Sequence, residues 1–257
     1  MAIFLVTLLV LWLPLALPAF WIFNRDPNLL ALVTMPILYI IFIGLVQWWG
    51  KRIHNHPNLL KRYGLVATRK NARDLGKGLI LGWGICLGIF VIQGLLGWLL
   101  WRSPSEKLAQ IILEGLGIAL VVGLVEELVF RGWLLDELER DYSANLAMWI
   151  SAIIYALLHF LKPLGEIIRT LPQLPALIGL GLILVKAKRS HQGLLGIAIG
   201  IHMGLIWAYY CLNVGNLIEY TQVVPIWITG IDNNPLAGLM GWLGLLILGY
   251  SVYAKKI

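Results

Sequence analysis

The sequence predicts an all-α protein, a polytopic transmembrane bundle of about eight spans. Three observations carry that reading. Of the 257 residues, 60% are hydrophobic and the mean hydropathy is +0.83, well above the roughly 45–50% apolar content of a soluble domain. Apolar runs close to the ~20 residues that a bilayer requires recur along the whole chain. The 20 Lys and Arg residues gather between those runs. The net charge of +7 is therefore a topology signal rather than the footprint of a nucleic-acid partner. Cys86 and Cys211 both fall in apolar segments and read as small core residues, with neither a disulfide nor a metal cluster implied.

The first span covers about 3–23. It lacks a basic leader and a small-residue cleavage site and contains Pro14 and Pro18, so it reads as a retained, kinked helix rather than a signal peptide. Span two, about 29–49, ends at Trp48 and Trp49, an aromatic pair suited to the interface. Residues 51–77 hold eight Lys and Arg residues against the single acid Asp74, which marks a cytoplasmic loop. Span three, about 78–100, carries Gly84 and Gly88 at a spacing that allows close helix packing. Span four, from Glu106 to about Leu138, is too long for one upright crossing and must tilt, bend or project. Span five is about 144–161, span six about 168–185 with Pro172 and Pro175 near its start, and span seven about 192–213 with a smooth stripe at Gly196, Gly200 and Gly204. Span eight, about 236–254, offers Ala237 and Gly241 as a small-residue pair, and Lys255 and Lys256 close the chain. With 51–77 in the cytoplasm, fifteen basic residues fall on that side and five on the other (Arg25, Arg102, Lys107, Lys162 and Arg169), which predicts both termini inside. The chain reads as a single membrane domain, 1–257, with no internal repeat to support an inverted-repeat transporter.

Chemistry concentrates in the polar residues that interrupt these runs. A charge at the centre of a membrane helix costs roughly 2.5–3.5 kcal/mol on insertion scales, so such residues pair and serve a function. Glu126, Glu127 and Arg131 lie together in EELVFRG. Adjacent helical residues point about 100° apart, so the two carboxylates have different tasks. Glu127 stands four residues before Arg131, the favourable order for an ion pair, and takes a structural role. Glu126 is left to find partners, and Tyr155, His159 and His202 are the polar groups in other apolar runs that can gather around it. A carboxylate with two histidines can activate water directly, bind a divalent metal that does so, pass protons, or simply satisfy its own hydrogen bonds; residue types alone leave these open.

These residues also resemble the signatures of the CAAX prenyl protease and bacteriocin-immunity family of membrane proteins, called CPBP or Abi, over about 105–210. Glu126, Glu127 and Arg131 match its paired glutamates with an arginine four positions after the second. Tyr155 and His159 match an aromatic residue four before a histidine, with tyrosine where phenylalanine is usual. His202, in the glycine-rich GIAIGIHMG, matches the second histidine, but Ile206 stands where the family carries an amide or carboxylate.

The resemblance implies an intramembrane endopeptidase: a multi-pass cell-membrane protein with a cytoplasm-facing cavity, cleaving a membrane-associated protein or peptide. Glu126, helped by His159, would activate water, and His202 would stabilise the oxyanion. Tyr209, Asn213 and Gln192 are the nearest donors in sequence to replace the amide lost at Ile206. No cofactor is required. If a divalent metal such as zinc binds, Glu126, His159 and His202 would hold it, although no cysteine or HExxH pattern supports such a site. The competing reading is a catalytically silent scaffold or immunity-like protein that binds another membrane protein, which Ile206 favours.

Overall fold

The computed structural model describes residues 1–254; Lys255 and Lys256, expected on the cytoplasmic side, lie outside the described residues. Helices dominate, in the order α1 (Ala2–Ile22), α2 (Pro27–Arg52), α3 (Leu59–Arg62), α4 (Arg69–Leu95), α5 (Leu108–Glu127), α6 (Leu135–Asp141), α7 (Ala144–Leu158), α8 (Leu164–Thr170), α9 (Leu174–Ser190), α10 (Gly196–Val214), α11 (Ile226–Thr229) and α12 (Leu239–Tyr253). Two short strands, β1 (Leu99–Trp101) and β2 (Ile218–Tyr220), pair antiparallel with Leu99 opposite Tyr220, an element that hydropathy did not announce. Contacts gather into two compact units, Met1–Arg62 and Tyr63–Ile257.

Among the described residues six helices are long and apolar enough to cross a membrane, against the eight spans expected. The difference lies in spans five and eight. Their helices, α7 and α12, have only 15 residues each, about 22 Å at the usual rise and short of a ~30 Å hydrocarbon core. Span eight loses its start because Pro235 to Ala237 form a separate 3₁₀ turn and Gly238 is extended. Span four is longer than a crossing, as its sequence requires: Leu108–Asp141 runs 34 residues as one helical rod, α5 joined to α6 through a π-helical segment at Leu128–Leu134.

In the first unit α1 and α2 run antiparallel. Asp26 caps α2 by accepting from the Asn28 and Leu29 amides, Phe4 meets Phe42 and Trp49 edge-on, and the Trp12 indole donates to the Thr34 carbonyl. In the second unit α4 begins inside the predicted basic loop, because Thr68 caps it by accepting from the Asn71 amide. Helices α4 and α10 lie parallel and very close. A β-carbon on Gly200 would sit 2.1 Å from the Leu75 carbonyl oxygen, and one on Gly82 2.2 Å from that of Ile201. The glycine stripe of α10 is thus a packing face. On α4, however, Gly78 and Gly82 meet it, whereas Gly84 and Gly88 face open space. Helix α5 crosses α10 antiparallel, with Gly115 against Tyr210 and Gly123 against Met203. Helices α9 and α12 close the other side, where Leu184, Ala187, Ile197 and Val252 form a solid core.

Candidate active site

The π segment sets the geometry. It follows Glu127 directly and carries Arg131, and its wider turn leaves main-chain carbonyls to be satisfied from elsewhere. Two neighbouring helices do so. The Ser151 hydroxyl of α7 donates to the Phe130 carbonyl at 3.1 Å, and the Lys188 ammonium of α9 donates to the Arg131 carbonyl at 2.6 Å. The irregular turn is therefore clamped on both sides rather than left to fray.

Within it, Arg131 and Glu127 are fully buried and paired at 2.9 Å, as the four-residue spacing predicts. The guanidinium also lies over the Tyr155 ring, 4.2 Å from its centroid, a contact worth about 2 kcal/mol where water is excluded. The same Glu127 oxygen accepts a second bond, from His202 Nδ1 at 2.9 Å. Glu127 is thus more than a partner for Arg131: it holds the His202 ring. Nδ1 must carry the proton in that bond, since an ionised carboxylate accepts only. The other nitrogen, Nε2, then lies 3.8 Å from Glu126 Oε2, too far for a hydrogen bond but close enough for the two groups to feel each other's charge. Glu126 and Glu127 thus face different nitrogens of the same imidazole, and Glu126 Oε2 has no protein hydrogen-bond partner.

His159 is oriented separately. Its Nδ1 donates to the Tyr155 carbonyl at 2.8 Å, which leaves Nε2 as the nitrogen free to take or give a proton. Its ring stands edge-on to Tyr155, with centroids 4.7 Å apart, and Tyr155 is in turn edge-on to His202 at 6.2 Å. Tyr155 is thus the spacer that arranges both histidines and Arg131.

Glu126, Tyr155, His159 and His202 all line one cavity of about 300 Å³, together with Ile206 and Tyr209. His202 comes within 3.8 Å of Glu126, whereas His159 shares the cavity wall with it. The replacement donors are distributed differently. Of the three proposed, only Tyr209 lines the cavity, and its hydroxyl donates to the Asp232 carbonyl at 3.5 Å. Asn213 instead donates to the Tyr209 carbonyl, and Gln192 sits in the turn after α9. In their place the cavity receives Gln173 and Asn234, which sequence reasoning missed. The side-chain oxygen of Asn234 accepts from the Leu236 amide, so its amide nitrogen is the end left over. Both residues lie in turns next to prolines, a signal for chain reversal but not for a site. Among the described residues no group of three or more His, Cys, Asp or Glu side chains is placed to hold a metal ion.

Residues 107–218 match a family model described as Type II CAAX prenyl endopeptidase Rce1-like. The matched region contains the Glu126 to Arg131 segment, Tyr155, His159 and His202, but not Asn234 or α12. No curated protein matches the chain, and no solved structure does.

Proposed function

We propose that the protein is a membrane endopeptidase in which Glu126 and the two histidines activate water to cleave a membrane-associated polypeptide. The observation that carries this reading is the pairing of a relay with an unsatisfied acceptor: Arg131–Glu127–His202 is a buried, fixed chain, and it ends beside Glu126, a cavity-lining residue whose Oε2 is buried without a protein hydrogen bond. In the cleavage step Glu126 takes a proton from water as the water oxygen adds to the peptide carbonyl carbon. His202, doubly protonated with Nδ1–H held by Glu127, presents Nε2–H to the developing oxyanion. The C–N bond then breaks, and the proton returns to the leaving amine from Glu126, with His159 Nε2 as the second proton carrier. General acid–base help of this kind is worth about 10²- to 10⁴-fold. The match over 107–218 supports the reaction class. No metal is needed in this scheme.

The test is cleavage of a panel of membrane-associated peptides by the purified protein in detergent, read by mass spectrometry. Glu126→Gln keeps the size of the side chain but cannot take a proton; it abolishes cleavage without lowering the melting temperature, and chelator leaves the parent active. Cleavage by Glu126→Gln at the parent rate would eliminate the mechanism. The scaffold reading rests on Ile206, an aliphatic wall residue that cannot donate to an oxyanion. It predicts instead that the parent is silent on every peptide while still capturing a membrane-protein partner.

A further inference from the structure

The cavity has a closed end and an open end, and the basic residues lie at the closed one. Helix directions within the second unit define the two ends. Helix α10 runs parallel to α4, with Gly200 on Leu75 and Gly204 on Leu79, and antiparallel to α5. Helix α9 runs antiparallel to α7, since Gly181 meets Ala152 and Arg189 reaches the Ala144 carbonyl, and parallel to α12, since Gly179 meets Leu245 and Gly249 meets Ile183. The starts of α4, α7 and α10 and the ends of α6, α9 and α12 therefore share one end. The starts of α5, α9 and α12 and the ends of α4, α7 and α10 share the other.

The cavity walls belong to the second end. Helix α9 contributes Gln173, Leu177 and Leu180 from its start, and α12 contributes only Gly241 to Leu248. The loop before α12 contributes Asn234, Pro235 and Leu236, and α7 contributes the exposed His159 just beyond its last residue. Toward the first end the space between α9, α10 and α12 is filled by the fully buried Leu184, Ala187, Ile197 and Val252. Glu126 and His202 form the floor where that core stops.

Charge divides along the same axis. The first end carries Arg69, Lys70, Arg73 and Lys77 on α4, Arg140 on α6, and Lys186, Lys188 and Arg189 on α9. The second carries Arg102, Lys107, Lys162 and Arg169. Ion pairs occur at both ends, Arg102 with Glu219 and Arg169 with Glu166 and Asp232 at the second, and Lys70 with Asp74, Arg140 with Asp136 and Arg189 with Glu139 at the first, so the bias lies in the number of Lys and Arg, eight against four. Lys and Arg accumulate on the cytoplasmic side of membrane proteins.

We infer that the cavity opens on the face of the membrane opposite the basic end, so that its polypeptide substrate is presented from outside the cytoplasm. This reverses the orientation that the family resemblance implies. The statement about substrate rests on the proposed endopeptidase activity; the orientation itself does not. A cytoplasmic, C-terminally prenylated protein would meet the closed end. An extracytoplasmic segment of a membrane protein or peptide would meet the open one, whose polar rim of His159, Gln173 and Asn234 carries no fixed charge of its own.

The test is thiol accessibility in intact cells that express the full chain, with a membrane-impermeant charged maleimide and the parent, which retains Cys86 and Cys211, as blank. Val223→Cys reports the open end, where Val223 is 67% exposed. Asn145→Cys, also at an exposed position, reports the basic end. Ile206→Cys reports the cavity wall. The expected result is full labelling of Val223→Cys and Ile206→Cys in intact cells, and labelling of Asn145→Cys only after permeabilisation. Labelling of Asn145→Cys alone in intact cells would overturn the orientation. So would protection of Ile206→Cys from the side that labels Val223→Cys, because the cavity would then not open there. Cleavage enters separately: with the expected labelling and a fully active Glu126→Gln, the orientation stands and the hydrolytic reading fails.

Discussion

On one side of α10 the backbone of α4 approaches so closely that a β-carbon at Gly196 would lie 2.2 Å from the Asn71 carbonyl oxygen and one at Gly204 2.4 Å from that of Leu79. On the other side His202, Ile206 and Tyr209 stand along a cavity of about 300 Å³. A cavity is poorly packed by definition, and its lining forfeits dispersion contacts that a filled core would make. The helix that bears the wall must therefore be fixed by its remaining surface. Backbone-to-backbone packing on glycine does this, because it leaves no side-chain rotamers through which the helix could slide or rotate. The difference between the two faces teaches that the glycine stripe belongs to the site as much as the histidine does, though it touches no substrate.

The largest effect is expected at that seam. Gly200→Leu would drive a branched side chain into the α4 backbone, where no flexible neighbour can yield. Overpacking a core by a methylene or two costs about 1–3 kcal/mol, and a clash with main chain at 2.1 Å exceeds that. The expected outcome is loss of monodisperse protein on extraction, read by size-exclusion chromatography in detergent. A folded Gly200→Leu protein with parental melting would show that α10 is positioned by something other than the seam.

Next in size is Arg131→Met, which keeps much of the volume but strips Glu127 of its cation. Removing one partner of a buried pair costs about 3–5 kcal/mol. Glu127 would keep its bond from His202, so the loss is expected as a lower melting temperature and a lower yield, with the surviving folded fraction still active. If activity per folded molecule fell while yield stayed parental, Arg131 would belong to the chemistry rather than to the frame.

The cavity face responds in the opposite sense. Ile206→Asn places an amide on the wall one turn beyond His202. If no other donor serves the oxyanion, cleavage rises toward a ceiling of about 10²- to 10³-fold, the worth of one such donor, while the melting temperature moves little. An unchanged rate would mean that the wall is already served, with Asn234 and Gln173 as the residues placed to do it.

Much of this frame was legible in the sequence, and the omissions share a cause. Glu127 and Arg131 could be paired from spacing alone because both lie on one helix, where geometry is fixed by the chain. The stripe on α10 was legible for the same reason. The second bond of Glu127, to His202, joins α5 to α10 and has no local signature; the sequence suggested only that His202 would come near Glu126. Asn234 and Gln173 lie in turns, where no periodicity says which way a side chain points. At α7 and α12 the helices are shorter than the spans expected, since an apolar run does not show where its helix begins. On α4 the failure was one of choice. Gly78, Gly82, Gly84 and Gly88 offer two overlapping pairs at the same spacing, and only the position of α10 decides between them.

That choice supplies the smallest and sharpest expected effect. Gly82 and Gly84 are two residues apart on one helix, and both stand in apolar sequence. At Gly84 an added β-carbon meets nothing within 4 Å, whereas at Gly82 it meets the Ile201 carbonyl carbon and oxygen and the Leu205 amide. Glycine inside a helix costs about 1 kcal/mol relative to alanine. Gly84→Ala should therefore recover a substantial part of that and raise the melting temperature slightly. Gly82→Ala gains the same helix propensity but must push α4 away from α10, so its melting temperature should fall. The single methyl group is the same in both, and membrane insertion is affected equally, so the difference in sign isolates the seam. Two variants that shift melting in the same direction would mean that α4 and α10 are not packed backbone to backbone. The support proposed for the cavity face would then have to come from α5, where a β-carbon at Gly123 would lie 3.3 Å from the Ile199 carbonyl oxygen and from the Met203 amide nitrogen, a tight contact without an outright clash.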